Sequence, residues 1–167
     1  MKTSVLILMG VSGSGKTTLG LLLASRLSWP YAEADGFHSA ANVAKMAAGH
    51  PLTDDDRWPW LRSIAAWIDE RIARGETGVV TCSALKRSYR DVLRRPAARF
   101  VYLRGSHELI ASRMAARTGH YFKPGMLDSQ FADLEAPTAD EGVVDVGIDG
   151  EPAKIVDDII AATRVGE

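Results

Sequence analysis

The chain has 167 residues, of which 46% are hydrophobic and 25% charged, as in an ordinary globular domain and unlike a disordered or fibrous protein. Twenty Lys and Arg residues against 21 Asp and Glu residues leave a net charge of −1, so no overall attraction to nucleic acid or to an anionic membrane is expected. The single cysteine, Cys82, excludes an intramolecular disulfide and favours a reducing, cytoplasmic location. We expect one soluble domain over residues 1–167.

Short apolar runs alternate with segments of helical periodicity along the chain. The runs lie at residues 4–9, 31–34, 78–82, 99–103 and 142–148. The second is the weakest, because it follows Pro30 and contains Glu33. One helix is predicted from apolar residues three and four apart, namely Trp60, Leu61, Ile64, Ala65, Ile68 and Ile72, and a closing helix from Pro152. This alternation predicts an α/β fold with a parallel sheet between helix layers.

The strongest motif is Gly-Val-Ser-Gly-Ser-Gly-Lys-Thr at residues 10–17, which matches the phosphate-loop pattern G-x-x-x-x-G-K-[ST] between a predicted strand and a predicted helix. A Gly/Ser-rich turn that merely starts a helix leaves the Lys-Thr pair unexplained. Lys16 is expected to contact the β- and γ-phosphates of ATP, and the Thr17 hydroxyl to coordinate Mg²⁺. The loop residues assigned to ATP are Gly10, Val11, Ser12, Gly13, Ser14, Gly15, Lys16 and Thr17.

Specificity for guanine nucleotides is not expected. The Asn-Lys-x-Asp signature is impossible, because the only asparagine is Asn42 and it precedes Val43. The chain also lacks an Asp-x-x-Gly switch signature.

Asp35 follows the second predicted strand, at the sheet edge where parallel α/β proteins bind their ligands. A carboxylate at this edge can orient an attacking hydroxyl and accept its proton. The alternative is that Asp35 caps a helix beginning near Ser39. His38 is a candidate for substrate binding, against the alternative of a surface or packing histidine.

Arg57 follows three aspartates, and its guanidinium can clamp the carboxylate of an anionic acceptor. An ion pair with one of those aspartates is the competing interpretation, and the acidic run also suits the N-terminus of a helix capped by Thr53 or an aspartate. Lys86 and Arg90, four apart after the third predicted strand, are assigned to the acceptor on the assumption that they share a helical face. A solvated basic face is the alternative, and it is preferred for Arg87, Arg94 and Arg95.

Arg113 and Arg117 share a helical face that enters a Gly- and Pro-containing segment at about residues 117–125, which we interpret as a lid. Arg117 is expected to stabilise the transferring phosphoryl group, and His120 to contact the acceptor. A nonspecific basic surface is the alternative interpretation.

These motifs together resemble the gluconokinases, small P-loop kinases built on the same plan as shikimate kinase. The resemblance runs nearly end to end and rests on residues 10–17, Asp35 with His38, residues 49–61, residues 82–86, Tyr89-Arg90-Asp91 and Gln130-Phe131. It implies a five-stranded parallel sheet in the order 2-3-1-4-5, ATP- and Mg²⁺-dependent phosphorylation of D-gluconate at the C6 hydroxyl, and a homodimer. It also implies that Arg113 lies near adenine.

Two positions depart from the pattern of the resembled family. Glu33 and Ser39 stand where its members often carry Asp and Pro. Since Asp35 and His38 are retained, we expect the chemistry to persist while acceptor selectivity is open to change. The alternatives are a kinase for another small hydroxy acid, such as shikimate or glycerate, and a nucleotide-dependent regulatory switch.

Overall fold

The computed structural model describes residues 2–116 and 124–165, and within them five parallel strands form one sheet in the order β2-β3-β1-β4-β5. The strands are β1 (Val5–Met9), β2 (Tyr31–Glu33), β3 (Gly78–Thr81), β4 (Ala98–Arg104) and β5 (Val144–Gly147). The central strand β1 pairs with β3 on one side and β4 on the other. This is the strand order that the resemblance implies, so the prediction of the fold is confirmed.

Helices cover both faces of the sheet. In the described ranges they are α1 (Lys16–Leu27), α2 (Ala40–Ala47), α3 (Asp54–Ala73), α4 (Arg87–Leu93), α5 (His107–Ala116), α6 (Pro124–Asp133) and α7 (Pro152–Thr163). Two short 3₁₀ turns lie at Ala34–Phe37 and Ala139–Glu141. None of the helices in this described part is long and apolar enough to cross a membrane.

The sheet has two cores because successive side chains of a strand point to opposite faces. In β1, Leu6 and Leu8 pack into the core that contains residues of α1, α5, α6 and α7, whereas Ile7 and Met9 pack into the core formed with α3 and α4. All of β1 is buried. The apolar run predicted as the first strand is therefore apolar on both faces because helices cover both faces of β1.

The helix predicted around Trp60 is longer than its apolar residues indicate, because α3 begins at Asp54. The side chain of Thr53 accepts the backbone N–H of Asp56 at 3.2 Å, and the Asp56 carboxylate accepts the backbone N–H of Thr53 at 2.8 Å. This reciprocal capping confirms that part of the acidic run serves the helix N-terminus. The closing helix begins at Pro152, as predicted.

The connections after β1, β2 and β3 meet at the carboxyl-terminal edge of the sheet. They contain residues 10–15, the 3₁₀ turn at Ala34–Phe37 and residues 82–86. The predicted lid at about residues 117–125 falls mostly on residues 117–123, which lie outside the described residues.

Candidate active site

Residues 10–17, the phosphate loop, connect β1 to the N-terminus of α1. Gly13 has a φ of 82°, and a Cβ atom placed on it would lie 2.6 Å from the side chain of Met114 on α5. A Cβ on Gly10 would lie 2.9 Å from Ser14 Oγ. Glycine is thus required at both positions, and the loop can wrap closely around an anion with its backbone N–H groups.

Lys16 lies folded over the loop that precedes it. Its Nζ donates to the backbone oxygens of Gly10 at 2.9 Å and Val11 at 3.0 Å. Burial lowers the pKa of Lys16 to about 8, although Asp35 and Glu33 act in the opposite direction. Phosphate oxygens are suited to this ammonium group, because they would compensate the desolvation of its charge.

The first turn of α1 also carries Thr17, whose hydroxyl donates to Glu33 Oε1. The same carboxylate oxygen accepts the Tyr31 hydroxyl at 2.8 Å, and these two hydrogen bonds lower the pKa of Glu33. A hydroxyl and an ionised carboxylate side by side are the oxygen ligands that Mg²⁺ prefers. The residues present therefore fit a magnesium ion at Thr17, and Glu33, one of the two departures noted above, supplies a carboxylate there.

Ser14 provides a further test of whether the loop fits phosphate. Its side chain is 1% exposed, and its Oγ has no hydrogen-bond partner among the described residues. A buried hydroxyl without a partner is costly unless a ligand satisfies it. The loop thus fits an anionic, hydrogen-bond-accepting ligand.

Asp35 lies in the 3₁₀ turn after β2 and is exposed to the same cavity as Lys16 and Thr17. The indole Nε1 of Trp60 donates to the Ala34 oxygen at 2.7 Å and fixes the turn to α3. Ser39, not Asp35, caps α2, since the Ser39 side chain accepts from Asn42 N. The alternative that Asp35 is a helix cap is therefore wrong.

His38 packs flat on Trp60, with ring centroids 4.4 Å apart. Asn42 Nδ2 lies 3.3 Å from His38 Nδ1 and donates to the backbone oxygen of Asp56 at 3.0 Å. Because an amide nitrogen only donates, Nδ1 accepts and the ring proton resides on Nε2. Burial lowers the pKa of His38, so the ring is neutral at pH 7 and faces the cavity as a hydrogen-bonding group.

Arg57 meets Tyr89 of α4 across the cavity wall. Arg57 Nη1 donates to the Tyr89 hydroxyl at 2.9 Å, and that hydroxyl donates to Asp54 Oδ1. Arg57 and Lys86 each lie 3.6 Å from Asp54, so the ion pairing is loose. Arg57 still lines the cavity, as the acceptor interpretation requires. We call Asp35, His38, Arg57 and Tyr89 the acceptor wall.

One cavity of about 910 Å³ joins the phosphate loop to the acceptor wall. That volume suits a small molecule together with part of a nucleotide. Another side of the cavity is formed by α6, through residues that include Met126, Ser129, Gln130 and Asp133. Sequence reasoning assigned no role to Tyr89 or Gln130, although both lie in motifs of the resemblance.

The prediction that Arg90 contacts the acceptor is wrong. Its side chain is 0% exposed and does not line the cavity. The guanidinium pairs with the buried carboxylate of Glu141 at 2.7 Å and donates to the backbone oxygens of Ala84, Leu85 and Glu135. Lys86 is the N-cap of α4 in an extended conformation, so the two residues do not share a helical face.

The other arginines of this segment form ion pairs within the protein. Arg87 pairs with Asp140 at 2.5 Å, Arg94 with Glu141 at 2.9 Å and Arg95 with Asp69 at 2.6 Å. The solvated basic face expected for these three arginines is therefore not what the structure shows, because each guanidinium is ion-paired; none of the three lines the cavity.

Arg113 lies in the last turn of α5, next to the Met114 that packs on Gly13, and does not line the cavity. Its assignment to adenine stays a prediction. Arg117 and His120 lie outside the described residues.

The parallel sheet in this strand order, with a phosphate loop between its central strand and α1, defines a P-loop protein. A family model described as an AAA domain matches residues 5–137. The chain is 44% identical over 162 residues to a gluconokinase of Gluconobacter oxydans, a match that covers 96% of this chain and 91% of the relative.

Two crystal structures share both sequence and fold with the chain. A sugar kinase from Janibacter sp. has a TM-score of 0.89 at 44% identity and covers 98% of this chain and 96% of its own. A gluconokinase from Sinorhizobium meliloti has a TM-score of 0.84 at 44% identity, and the match covers 96% of this chain and 91% of that gluconokinase. The chain belongs to the gluconokinase family.

Proposed function

We propose that the protein transfers the terminal phosphoryl group of ATP to the C6 hydroxyl of D-gluconate, giving 6-phospho-D-gluconate and ADP. The observation that carries the proposal is the shared cavity, which is lined by the phosphate loop, by the carboxylate of Asp35 and by the guanidinium of Arg57. Family membership supports the same reaction.

The phosphate loop binds the nucleotide. Its backbone N–H groups and Lys16 hold the phosphates, and Thr17 with Glu33 holds the metal ion. Mg²⁺, when bound there, neutralises charge on the β- and γ-phosphates. Arg113 is assigned to the adenine end, and Arg117 to the transferring group.

The acceptor wall orients gluconate. Arg57 binds the carboxylate through charge-assisted hydrogen bonds, with Lys86 adding positive charge nearby, while neutral His38 hydrogen-bonds sugar hydroxyls. His120 is assigned to the acceptor as well. Asp35 accepts the proton of the C6 hydroxyl while the hydroxyl oxygen forms a bond to the γ-phosphorus. The bond between that phosphorus and the β–γ bridging oxygen breaks, and its electron pair stays on ADP.

The test is acceptor-dependent ADP release by the full chain with ATP and Mg²⁺. D-Gluconate is compared with D-glucose, shikimate, glycerate and no acceptor. Strong stimulation by gluconate alone supports the proposal, because a site that binds a carboxylate is expected to reject the neutral sugar by about 10⁴-fold or more. Stimulation by shikimate or glycerate instead identifies another acid kinase, and tight ATP binding with no stimulated release identifies a regulatory switch.

A homodimer and a cytoplasmic location are also proposed. The first comes from the family resemblance and the second from the single buried cysteine. Light scattering of the purified chain tests the first, because a monomer mass contradicts it, and cell fractionation tests the second.

A further inference from the structure

A side-chain amide of α6 contacts the phosphate loop directly. Ser12 and Gln130 are 118 positions apart in the chain, yet the backbone N–H of Ser12 donates to Gln130 Oε1 at 2.6 Å. Gln130 Nε2 in turn donates to Ser12 Oγ at 2.7 Å. Gln130 is the only glutamine of the chain.

The donor and acceptor roles in this pair are fixed by chemistry. A backbone N–H only donates, so the amide oxygen of Gln130 faces it and the amide nitrogen faces the Ser12 hydroxyl. An amide nitrogen also only donates, so Ser12 Oγ accepts in this bond. The hydroxyl proton of Ser12 is therefore directed away from Gln130, and Ser12 becomes an oriented donor.

The position of Ser12 indicates which part of a bound nucleotide accepts the hydrogen bond from its hydroxyl. Ser12 follows Val11, whose backbone oxygen accepts from Lys16 Nζ at 3.0 Å. In a phosphate loop this lysine reaches the β- and γ-phosphates. Ser12 also lines the cavity shared with Asp35, so it lies on the side of the loop from which the acceptor approaches.

We propose that Gln130 is a positioning residue for phosphoryl transfer, because its amide orients the Ser12 hydroxyl to donate to the terminal phosphate of the bound nucleotide. The backbone N–H of Ser12 already donates to Gln130 Oε1 and is not available to a phosphate. The oriented hydroxyl of Ser12 therefore serves as the hydrogen-bond donor to the phosphate at this position of the loop. The inference deepens the proposed function and rests on it. It also ties α6, which forms one side of the acceptor cavity, to the nucleotide.

Equilibrium binding provides a test that needs no acceptor. The affinities of the full chain for the non-hydrolysable analogue AMPPNP and for ADP are measured with Mg²⁺ for the wild type, Ser12→Ala, Gln130→Leu and the double variant. Each single variant is expected to lower the ratio of AMPPNP to ADP affinity by about ten- to a hundredfold, as for a lost hydrogen bond to a charged group. Since Gln130 acts through Ser12, the double variant is expected to lose no more than Ser12→Ala alone.

Asp128→Asn is the matched control on the same helix. Asp128 pairs with His107 of α5 at 2.5 Å and does not line the cavity. If Gln130 only docks α6, Asp128→Asn lowers the affinity ratio as Gln130→Leu does, and the proposal is overturned. An unchanged ratio in Ser12→Ala, or losses that multiply in the double variant, overturns it as well.

Turnover distinguishes this proposal from the proposed function. With gluconate as acceptor, Gln130→Leu is expected to lower kcat/KM for ATP by at least the factor seen in the affinity ratio, while the KM for gluconate stays near the wild-type value. A raised KM for gluconate with an unchanged kcat/KM for ATP contradicts the positioning role. If the affinity ratios behave as expected but no acid is phosphorylated by the wild type, the proposed function fails while the contact between Ser12 and the terminal phosphate stands.

Discussion

The phosphate loop and the acceptor wall face the same cavity, but they are built in opposite ways. The loop consists of consecutive residues 10–17, and its geometry depends on local backbone conformations such as that of Gly13. The acceptor wall is assembled from a 3₁₀ turn, α3 and α4, which are held together by long-range contacts such as Trp60 to Ala34 and Arg57 to Tyr89. A contiguous site is defined by sequence spacing, whereas a dispersed site is defined by the fold.

The two regions also differ in how they use charge. In the loop, Lys16 is partly desolvated and has a lowered pKa, which suits a ligand that brings its own negative charge. Arg57 of the acceptor wall and the neighbouring Lys86 are partly exposed and share the carboxylate of Asp54. Binding an acceptor carboxylate there requires only an exchange of loosely held partners.

The largest effect is expected for Asp35→Asn in the acceptor wall. Loss of the proton acceptor should lower kcat by about 10²- to 10⁴-fold while ATP affinity stays close to wild type. Asp55→Asn, an exposed aspartate on the first turn of α3 that does not line the cavity, is the control and should retain turnover. Near-normal turnover of a folded Asp35→Asn variant contradicts the assignment.

The next largest effect concerns the support beneath the acceptor wall. Glu141→Gln leaves the buried charge of Arg90 without its carboxylate, and removing one partner of a buried pair costs about 3–5 kcal/mol of unfolding free energy. Asp145→Asn breaks the exposed pair with Arg104 and should change stability little. Urea unfolding measures both variants, and equal losses would show that burial of the Arg90 pair is unimportant.

Arg57→Ala tests the carboxylate subsite with a smaller expected effect. Loss of a charge-assisted hydrogen bond should raise the KM for gluconate by about ten- to a hundredfold with little change in the KM for ATP. Arg74→Ala, whose exposed side chain pairs with Glu70 at the end of α3, is the matched control. An unchanged KM for gluconate in Arg57→Ala assigns the acceptor carboxylate to another group.

The smallest effect is a pH dependence of nucleotide binding. With a pKa of about 8, Lys16 is increasingly neutral above pH 8, and bound phosphates favour its charged form. ATP binding should therefore take up a proton above about pH 8, and affinity should fall by up to about tenfold per pH unit there. Calorimetry in buffers of different ionisation enthalpy detects the uptake, which Lys16→Met should abolish and Lys154→Met should retain.

The same lowered pKa has the opposite effect on stability, because the contribution of Lys16 to the unfolding free energy increases with pH whereas ATP affinity decreases. Lys16 has a folded pKa of about 8 against an ordinary value of 10.5, so between these values the unfolded chain binds more protons than the folded one. The contribution of Lys16 to the unfolding free energy thus rises with pH across this window. A contribution that falls there in urea unfolding, measured against Lys16→Met, contradicts the lowered pKa.

How much the sequence predicted follows from the same contrast. The phosphate loop, the buried strands and α3 were predictable because each depends on spacing within a short stretch, and the strand order came from the family resemblance. The placement of Arg57 and Asp35 at the cavity was predictable because Asp35 follows a strand and Arg57 lies in the first turn of a helix next to the sheet edge. These signals are local.

The errors and omissions involve contacts between distant segments. Arg90 is four residues from Lys86, but α4 begins only at Arg87, and the partner that buries Arg90 is Glu141, about fifty positions later. Gln130 reaches Ser12 across most of the chain. No periodicity within one element reports such pairings, since they are set by how helices pack on the sheet.

The most direct measurement of the central claim is the position of the phosphate in the product. The full chain is incubated with ATP, Mg²⁺ and D-gluconate, and the phosphorylated acid is examined by ³¹P and ¹³C NMR. If Arg57 holds the carboxylate and Asp35 activates the far hydroxyl, phosphorus couples to C6 through two bonds, to C5 through three bonds, and to no other carbon. Phosphate on another carbon, or ADP and free phosphate without a phosphorylated acid, would contradict the arrangement of the two regions proposed here.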